Sequence, residues 1–225
     1  MARDFCALEE IIGHDFKDKS LIEAALTHSS TEGSVNYERL EFLGDRVLGL
    51  VISELLFNKF PDEPEGHLAK RLAALVQGET LARLSLQIQL GDFIILSDNE
   101  RDAGGASNEH ILADVFEALI GALYLDAGLK ACKTLIEQHW AGILYKMKKP
   151  PLHPKTALQE WAQSQGFSLP KYEVVGQAGP HHAPIFTVKL SVKGCDDVIA
   201  EGSSRAEAEK MAAGLCLKML GIYGD

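Results

Sequence analysis

The chain of 225 residues has only four cysteines, Cys6, Cys132, Cys195 and Cys216, and no two of them form a Cys-x-x-Cys pair. Neither a zinc site nor a disulfide framework is indicated, and buried free thiols are expected. Long apolar runs are also missing. No stretch approaches the ~18 residues needed to span a bilayer, and no charged-then-apolar leader opens the sequence. These absences predict a cytoplasmic protein with no membrane partner. Basic charge is scarce as well, with 22 Lys+Arg against 32 Asp+Glu and a net charge of -10. Phosphate binding normally leaves a basic footprint, so the total charge by itself speaks against a nucleic-acid partner. The surplus acid is uneven, however: 15 Lys+Arg face 24 Asp+Glu up to Pro150, and 7 face 8 beyond it. Local basic patches can bind phosphate despite the total.

What the chain does contain is acid in ordered positions. In the run Tyr37-Glu38-Arg39-Leu40-Glu41-Phe42-Leu43-Gly44-Asp45-Arg46-Val47-Leu48, helical geometry brings Glu38, Glu41 and Asp45 within about 60° of one another. The same stripe continues through Leu48, Gly49 and Ile52, which places the acids where a buried face meets solvent. A second helix repeats the pattern, with Asp114 and Glu117 one turn apart above Gly121 and Leu125. A lone Glu-x-x-Glu is usually an ordinary solvated pair. Here both clusters interrupt apolar stripes, and both helices carry interior glycines, Gly49 and Gly121, each costing ~1 kcal/mol against Ala. The glycines predict close packing of the two helices and one shared acidic site.

Oxygen ligands without nearby Cys or His suit Mg²⁺, with Mn²⁺ able to substitute. Carboxylates converging to ~5 Å would repel by ~3 kcal/mol per pair at an effective dielectric of ~20, so a cation must compensate or some acids must hold protons.

The segment Glu38-Arg39-Leu40-Glu41-Phe42-Leu43-Gly44-Asp45 resembles the signature of the ribonuclease III family, and Ile111-Leu112-Ala113-Asp114 with Glu117-Ala118-Leu119-Ile120-Gly121-Ala122 is similar to that family's second acidic helix. Thr27-His28-Ser29 and Glu65-Gly66 also fit. The resemblance runs from about Phe5 to Leu220, the span of a complete bacterial-type member. It implies Glu41, Asp45, Asp114 and Glu117 as metal ligands, with Asp45 and Glu117 catalytic, and Glu38 and Glu65 as accessory acids. It further implies a homodimer with the signature helix at its interface, where Phe42 could pack against a second copy. Each subunit would cut one strand of double-stranded RNA, leaving 5′-phosphate and 3′-hydroxyl ends with two-nucleotide 3′ overhangs, on ribosomal-RNA precursors and structured transcripts. Arg46 departs from the Ser or Ala found in many members and adds positive charge beside the site.

Pro150, Pro151 and Pro154 mark the boundary between domains, because prolines so closely spaced cannot continue a helix. The expected organisation is an all-α catalytic domain over 1–148, a linker over 149–154, and a small α+β domain over 155–223. In the first domain, helices are expected around Leu8–Ile12 and Leu21–Ala25, from Asn36 to Phe60, from His67 to Leu86, through the second acidic stretch, and from Lys130 to Lys146. A polar Gly-rich loop should cover Asn99 to Ser107. Lys70 and Arg71 are candidates for phosphate contact or for a solvated helix face. His28 reads as a cap or hydrogen-bonded neighbour rather than a general base.

Beyond the linker, a helix over Lys155–Gln165 buries Leu158, Trp161 and Ala162. Strand-like runs follow at Tyr172–Val175, Phe186–Val192 and Val198–Ala200. Ser204 caps a last helix with Ala208, Met211, Ala212, Leu215 and Met219 in register. This α-β-β-β-α order, with Gly179-Pro180-His181-His182 in the first hairpin, resembles the double-stranded RNA-binding domain, which reads duplex shape and 2′-hydroxyls. The resemblance places RNA contacts at Thr156, Gln159, Glu160, His182, Ser204, Arg205 and Lys210. Ala200 and Ala206 replace a usual glycine and a usual basic residue, which predicts modestly weakened binding.

Two alternatives can be weighed at this level. A di-iron helical bundle would need Glu-x-x-His on two helices, and neither Glu41-x-x-Gly44 nor Glu117-x-x-Ile120 supplies it. A non-catalytic RNA-binding protein on a nuclease-like fold would need one of the four core acids replaced, and none is.

Overall fold

The computed structural model describes residues 5–33, 35–151, 153–180 and 184–222. The chain forms two compact units, Met1–Pro151 and Leu152–Asp225. Each has its own apolar core, and no residue belongs to both cores.

The first unit is helical. Helices α1 (Cys6–Ile12) and α2 (Lys19–Leu26) are short; Asp18 caps the second, its carboxylate accepting from Ser20 N at 3.0 Å. The signature helix α3 (Glu38–Lys59) is stopped by the Pro61–Pro64 segment. Where one helix was expected over His67–Leu86, there are two, α4 (Glu65–Val76) and α5 (Gly78–Gln87), broken at an extended Gln77. The apolar spacing continues across the break because both helices bury their leucines in the same core. Thr80 Oγ1 donates to Ala74 O at 2.9 Å, satisfying a carbonyl that the end of α4 leaves open. The expected polar loop holds a short helix α6 (Asp98–Asp102) and a single 3₁₀ turn at Gly105–Ser107. Helix α7 (Glu109–Lys146) runs through both remaining expected helices with a kink at Gly128, whose φ of 78° suits glycine alone. Asn108 caps it, its side-chain oxygen accepting from His110 N at 2.9 Å.

The core of this unit lies between α3 and α7. A Cβ built on Gly44 would stand 1.7 Å from the Glu117 carbonyl oxygen, and one on Gly121 would stand 2.2 Å from the Leu40 carbonyl oxygen. The backbones meet at those two glycines, so Gly44 takes the place expected for Gly49, which has nothing within 4 Å of its Cβ position. The reason is angular: Gly44 is on the buried side of α3 with Leu48 and Val51, and Gly49 is only half-buried.

Arg71 is fully buried, which excludes the phosphate-contact and solvated-face readings for it. Its Nε and Nη2 donate to the two Glu63 oxygens at 2.8 and 2.6 Å, Nη1 donates to Met147 O at 2.7 Å, and its guanidinium carbon stands 3.7 Å from the centre of the Phe60 ring. Arg71 thus ties the start of the Pro-rich turn to the end of α7. Among the cysteines, Cys132 and Cys216 are buried as expected, Cys195 is half-buried and Cys6 is exposed.

The second unit has α8 (Pro154–Ser164), strands β1 (Lys171–Ala178), β2 (Ile185–Ser191) and β3 (Val198–Gly202) in an antiparallel sheet of order β1-β2-β3, and α9 (Arg205–Met219). Leu158 and Ala162 are buried and Trp161 partly so. The expected face of α9 is only half right. Ala208, Ala212, Ala213, Cys216 and Leu217 are buried, and Met211, Leu215 and Met219 are exposed. Small alanine and cysteine side chains let α9 lie close to the sheet and α8, so the larger residues flank the contact.

Candidate active site

Both acidic helices bring their N-terminal parts to the site. Glu38 and Glu41 lie at the start of α3, and Tyr37 before them is anchored by its N–H to the Thr27 carbonyl at 2.9 Å. Asp114 and Glu117 lie in the second and third turns of α7. Because α3 and α7 touch at Gly44 and Gly121, carboxylates one turn from the crossing converge. Oxygens of Glu41, Asp114 and Glu117 all lie within 4.8 Å of one another, with each residue half-buried.

The electrostatics follow from that crowding. Burial pushes the Glu117 carboxyl up to about 8, with Asp45, Glu41 and Asp114 adding repulsion and Arg46 opposing it. Glu41 is raised by burial and then by Asp114, Glu38 and Asp45. Asp114 is raised by burial, against the hydrogen bond from Tyr37, whose hydroxyl stands 3.4 Å from Asp114 Oδ2. Tyr37 is itself held well above the usual phenol range, chiefly by burial and by Asp114. The site as it stands has an excess of negative charge.

The other expected residues fall at the margins. Asp45 repels Glu117 but directs its own oxygen to Arg46, whose Nη1 lies 2.5 Å away. Arg46 therefore pairs with one of the four core acids as well as standing beside the site. Glu38 is exposed and acts on Glu41 through charge, and Glu65 opens α4, exposed and outside the group of three. His28 accepts from Ser30 N through Nδ1 at 3.1 Å, and its ring centre is 5.6 Å from that of Tyr37, the hydrogen-bonded neighbour role expected for it. Tyr37 was given no role by sequence reasoning; its place directly before the acidic run was the only signal.

Comparison with known proteins bears on this geometry. A family model described as Ribonuclease-III-like matches residues 18–143, and one for the double-stranded RNA binding motif matches residues 154–220. Ribonuclease 3 of Ehrlichia ruminantium strain Welgevonden is 50% identical over 94% of this chain and 95% of its own length. The chain belongs to the ribonuclease III family. Ribonuclease 3 of Zymomonas mobilis is 44% identical over 95% of this chain and 86% of its own. A solved nuclease domain of ribonuclease III from Campylobacter jejuni, described for structural flexibility in a region involved in dimer formation, is 46% identical with a TM-score of 0.59, covering 61% of this chain and 99% of its own.

As a ribonuclease III, the chain is an endoribonuclease, and its second unit is a double-stranded RNA-binding domain. Membership favours the catalytic reading over the non-catalytic alternative. On the second unit, Thr156, Gln159 and Glu160 are exposed on α8, and Ser204, Arg205 and Lys210 are exposed at the start of α9. Ser204 caps α9, its hydroxyl accepting from Glu207 N at 3.2 Å. His182 lies outside the described residues. Ala200 packs into the core beside β2, and Ala206 is exposed in the first turn of α9. Among the described residues, no helix is long and apolar enough to cross a membrane.

Proposed function

We propose that Glu41, Asp114 and Glu117, joined by Asp45, hold a divalent cation, Mg²⁺ with Mn²⁺ able to substitute, and that this centre hydrolyses one strand of duplex RNA while the same centre of a second copy cuts the other. The observation that carries the reading is the convergence of three half-buried carboxylates within 4.8 Å, without Cys or His among them, at a point where burial and charge repulsion push Glu117 up to about 8. The donor set is all oxygen, which fits a hard cation, and a bound cation would offset the repulsion that adds to burial in raising Glu41 and Glu117.

The chain's own contributions can be assigned within that reading. Tyr37 donates to Asp114 and fixes that carboxylate's orientation. The catalytic roles are assigned to Glu117, where burial and like charge favour the protonated carboxyl, and to Asp45, which adds to that repulsion. Arg46 pairs with Asp45 and would hold that carboxylate in place. Glu38 and Glu65 extend the acidic lining toward solvent. When bound, the cation supplies charge neutralisation at the scissile phosphate and a more acidic water for hydrolysis. The products would be 5′-phosphate and 3′-hydroxyl ends with short 3′ overhangs, and the substrates ribosomal-RNA precursors and structured transcripts in the cytoplasm.

A homodimer is part of the proposal. Phe42, Leu50 and Phe57 are 68%, 58% and 69% exposed along one side of α3, a row of large apolar groups that a second copy would cover. The Arg46 guanidinium, 5.7 Å from the Phe42 ring centre, connects that row to the acidic site. RNA contact is assigned to Thr156, Gln159, Glu160, His182, Ser204, Arg205 and Lys210. Incubation with a perfect RNA duplex, with Mg²⁺ or with chelator, tests the centre. Cutting should require the ion, and undiminished cutting in chelator would overturn the assignment.

A further inference from the structure

Glu209 on α9 is a buried acid outside the catalytic centre, 7% exposed, with both carboxylate oxygens engaged. Oε1 accepts from Arg205 Nε at 2.8 Å, one turn back on the same helix. Oε2 accepts from the ammonium of Lys155 at the start of α8. The Lys155 bond, helped by Arg205, holds the Glu209 carboxyl below its usual range in spite of burial. Lys155 Nζ also lies 5.0 Å from the centre of the Tyr172 ring.

Stability alone is a poor explanation for this triad. Exposed ion pairs contribute little, and buried ones are often matched by apolar replacements. What the triad does fix is position. Arg205 uses its inner Nε and remains 64% exposed, so its outer N–H groups face solvent; Lys155 keeps 36% of its side chain exposed. On either side are the exposed Thr156 and Gln159 of α8 and Ser204 and Lys210 of α9.

We propose that Glu209 is a positioning residue for duplex recognition: it holds Lys155 and Arg205 by their inner edges, so that both present their outward N–H groups to backbone phosphates with the spacing between α8 and α9 already set. The inference rests on the reading of this helix face as the RNA contact. Pre-setting two flexible side chains removes an ordering cost that binding would otherwise carry. The sign of the effect is distinctive, because removal of an acid should by charge alone tighten binding to a polyanion.

The test is duplex-RNA binding by the full chain in EDTA across a salt series. Glu209→Gln should weaken binding by about tenfold and make the salt dependence shallower by ~0.9 for each phosphate that Lys155 or Arg205 no longer neutralises, with near-ultraviolet circular dichroism unchanged. A purely structural role would not alter the slope of a folded protein. Tighter or unchanged binding would overturn the proposal. If Glu209→Gln unfolds the second unit, Arg205→Lys decides, since it keeps the charge at an exposed position but removes the inward Nε together with the outward fork. It should weaken binding too, and parent-like affinity and slope would overturn the proposal. Lys155→Met and Arg205→Met separate the premise from the inference. Parent-like binding by both removes the helix face as the RNA contact and the proposal with it. Weakened binding by both beside unaffected Glu209→Gln defeats the role of Glu209 alone.

Discussion

Glu117 is the residue at which burial and like charge act together, and two predictions follow from that combination. Glu117→Gln preserves size and removes the negative charge, so cutting of duplex RNA should fall by more than a hundredfold, on the order of what one transition-state charge contact supplies, with duplex binding near that of the parent. Single-turnover rates and binding measured side by side would show the separation, and cleavage within threefold of the parent would remove Glu117 from the centre. The second prediction concerns pH. A carboxyl raised from 4.5 to about 8 favours the folded state while protonated, so its contribution is fully present below 4.5 and is lost as pH rises through 8. Melting of the parent and Glu117→Gln in chelator from pH 5 to 8.5 should therefore show the variant gaining on the parent as pH rises; parallel curves would contradict the raised carboxyl. Glu41, Asp114 and Glu117 were legible in the sequence because acids that interrupt an apolar stripe have few ordinary explanations. Arg71 was not, since its burial depends on Glu63 and on Met147, 76 residues away, which no local pattern announces.

Between elements, the α3 and α7 contact sets the site, and it tolerates no side chain at its crossing. Gly121→Ala would drive a Cβ to 2.2 Å from the Leu40 carbonyl oxygen, so the helices must part. A decrease of about 1–3 kcal/mol in stability is expected from such overpacking, with cleavage reduced more than binding because the carboxylates separate. Gly142→Ala, on the exposed later part of α7 with nothing within 4 Å of its Cβ position, should instead gain about 1 kcal/mol. Thermal unfolding of the pair checks this, and equal shifts would argue against the close crossing. On the outer side of α3, Phe42→Ala should weaken self-association measured by sedimentation; an unchanged equilibrium would remove Phe42 from the interface. Helix periods gave most elements, because the first unit is built from apolar stripes. They missed the break at Gln77, where the stripe continues through a change of chain direction. On α9 they placed Ala208 and Ala212 correctly but also put Met211, Leu215 and Met219 on the buried face, where small residues make most of the contact and hydrophobic bulk misleads.

For the whole molecule, the two separate cores and the uneven distribution of acid divide the labour. The net charge of -10 is concentrated in the unit that carries the acidic cluster, and the second unit, close to neutral in Lys, Arg, Asp and Glu, is the double-stranded RNA-binding domain, with α8 and α9 as the proposed contact. The two-unit organisation was readable from the prolines and from the change of apolar period, whereas the Lys155–Glu209–Arg205 arrangement needed the tertiary structure to bring α8 beside α9. A chain truncated after Pro150 should keep the whole of the first core and all the acids of the candidate centre, and should remain dimeric through α3. It should still cut duplex RNA with Mg²⁺ or Mn²⁺ at low salt. At physiological salt it should cut poorly, because the missing unit supplied phosphate and 2′-hydroxyl contacts, and the remaining phosphate contacts are those that counterions displace most readily. Cleavage rates for the full and truncated chains across a salt series provide the measurement. The truncated chain should fall away at lower salt, and a parallel decline of both would mean that the first unit, not α8 and α9, anchors the RNA.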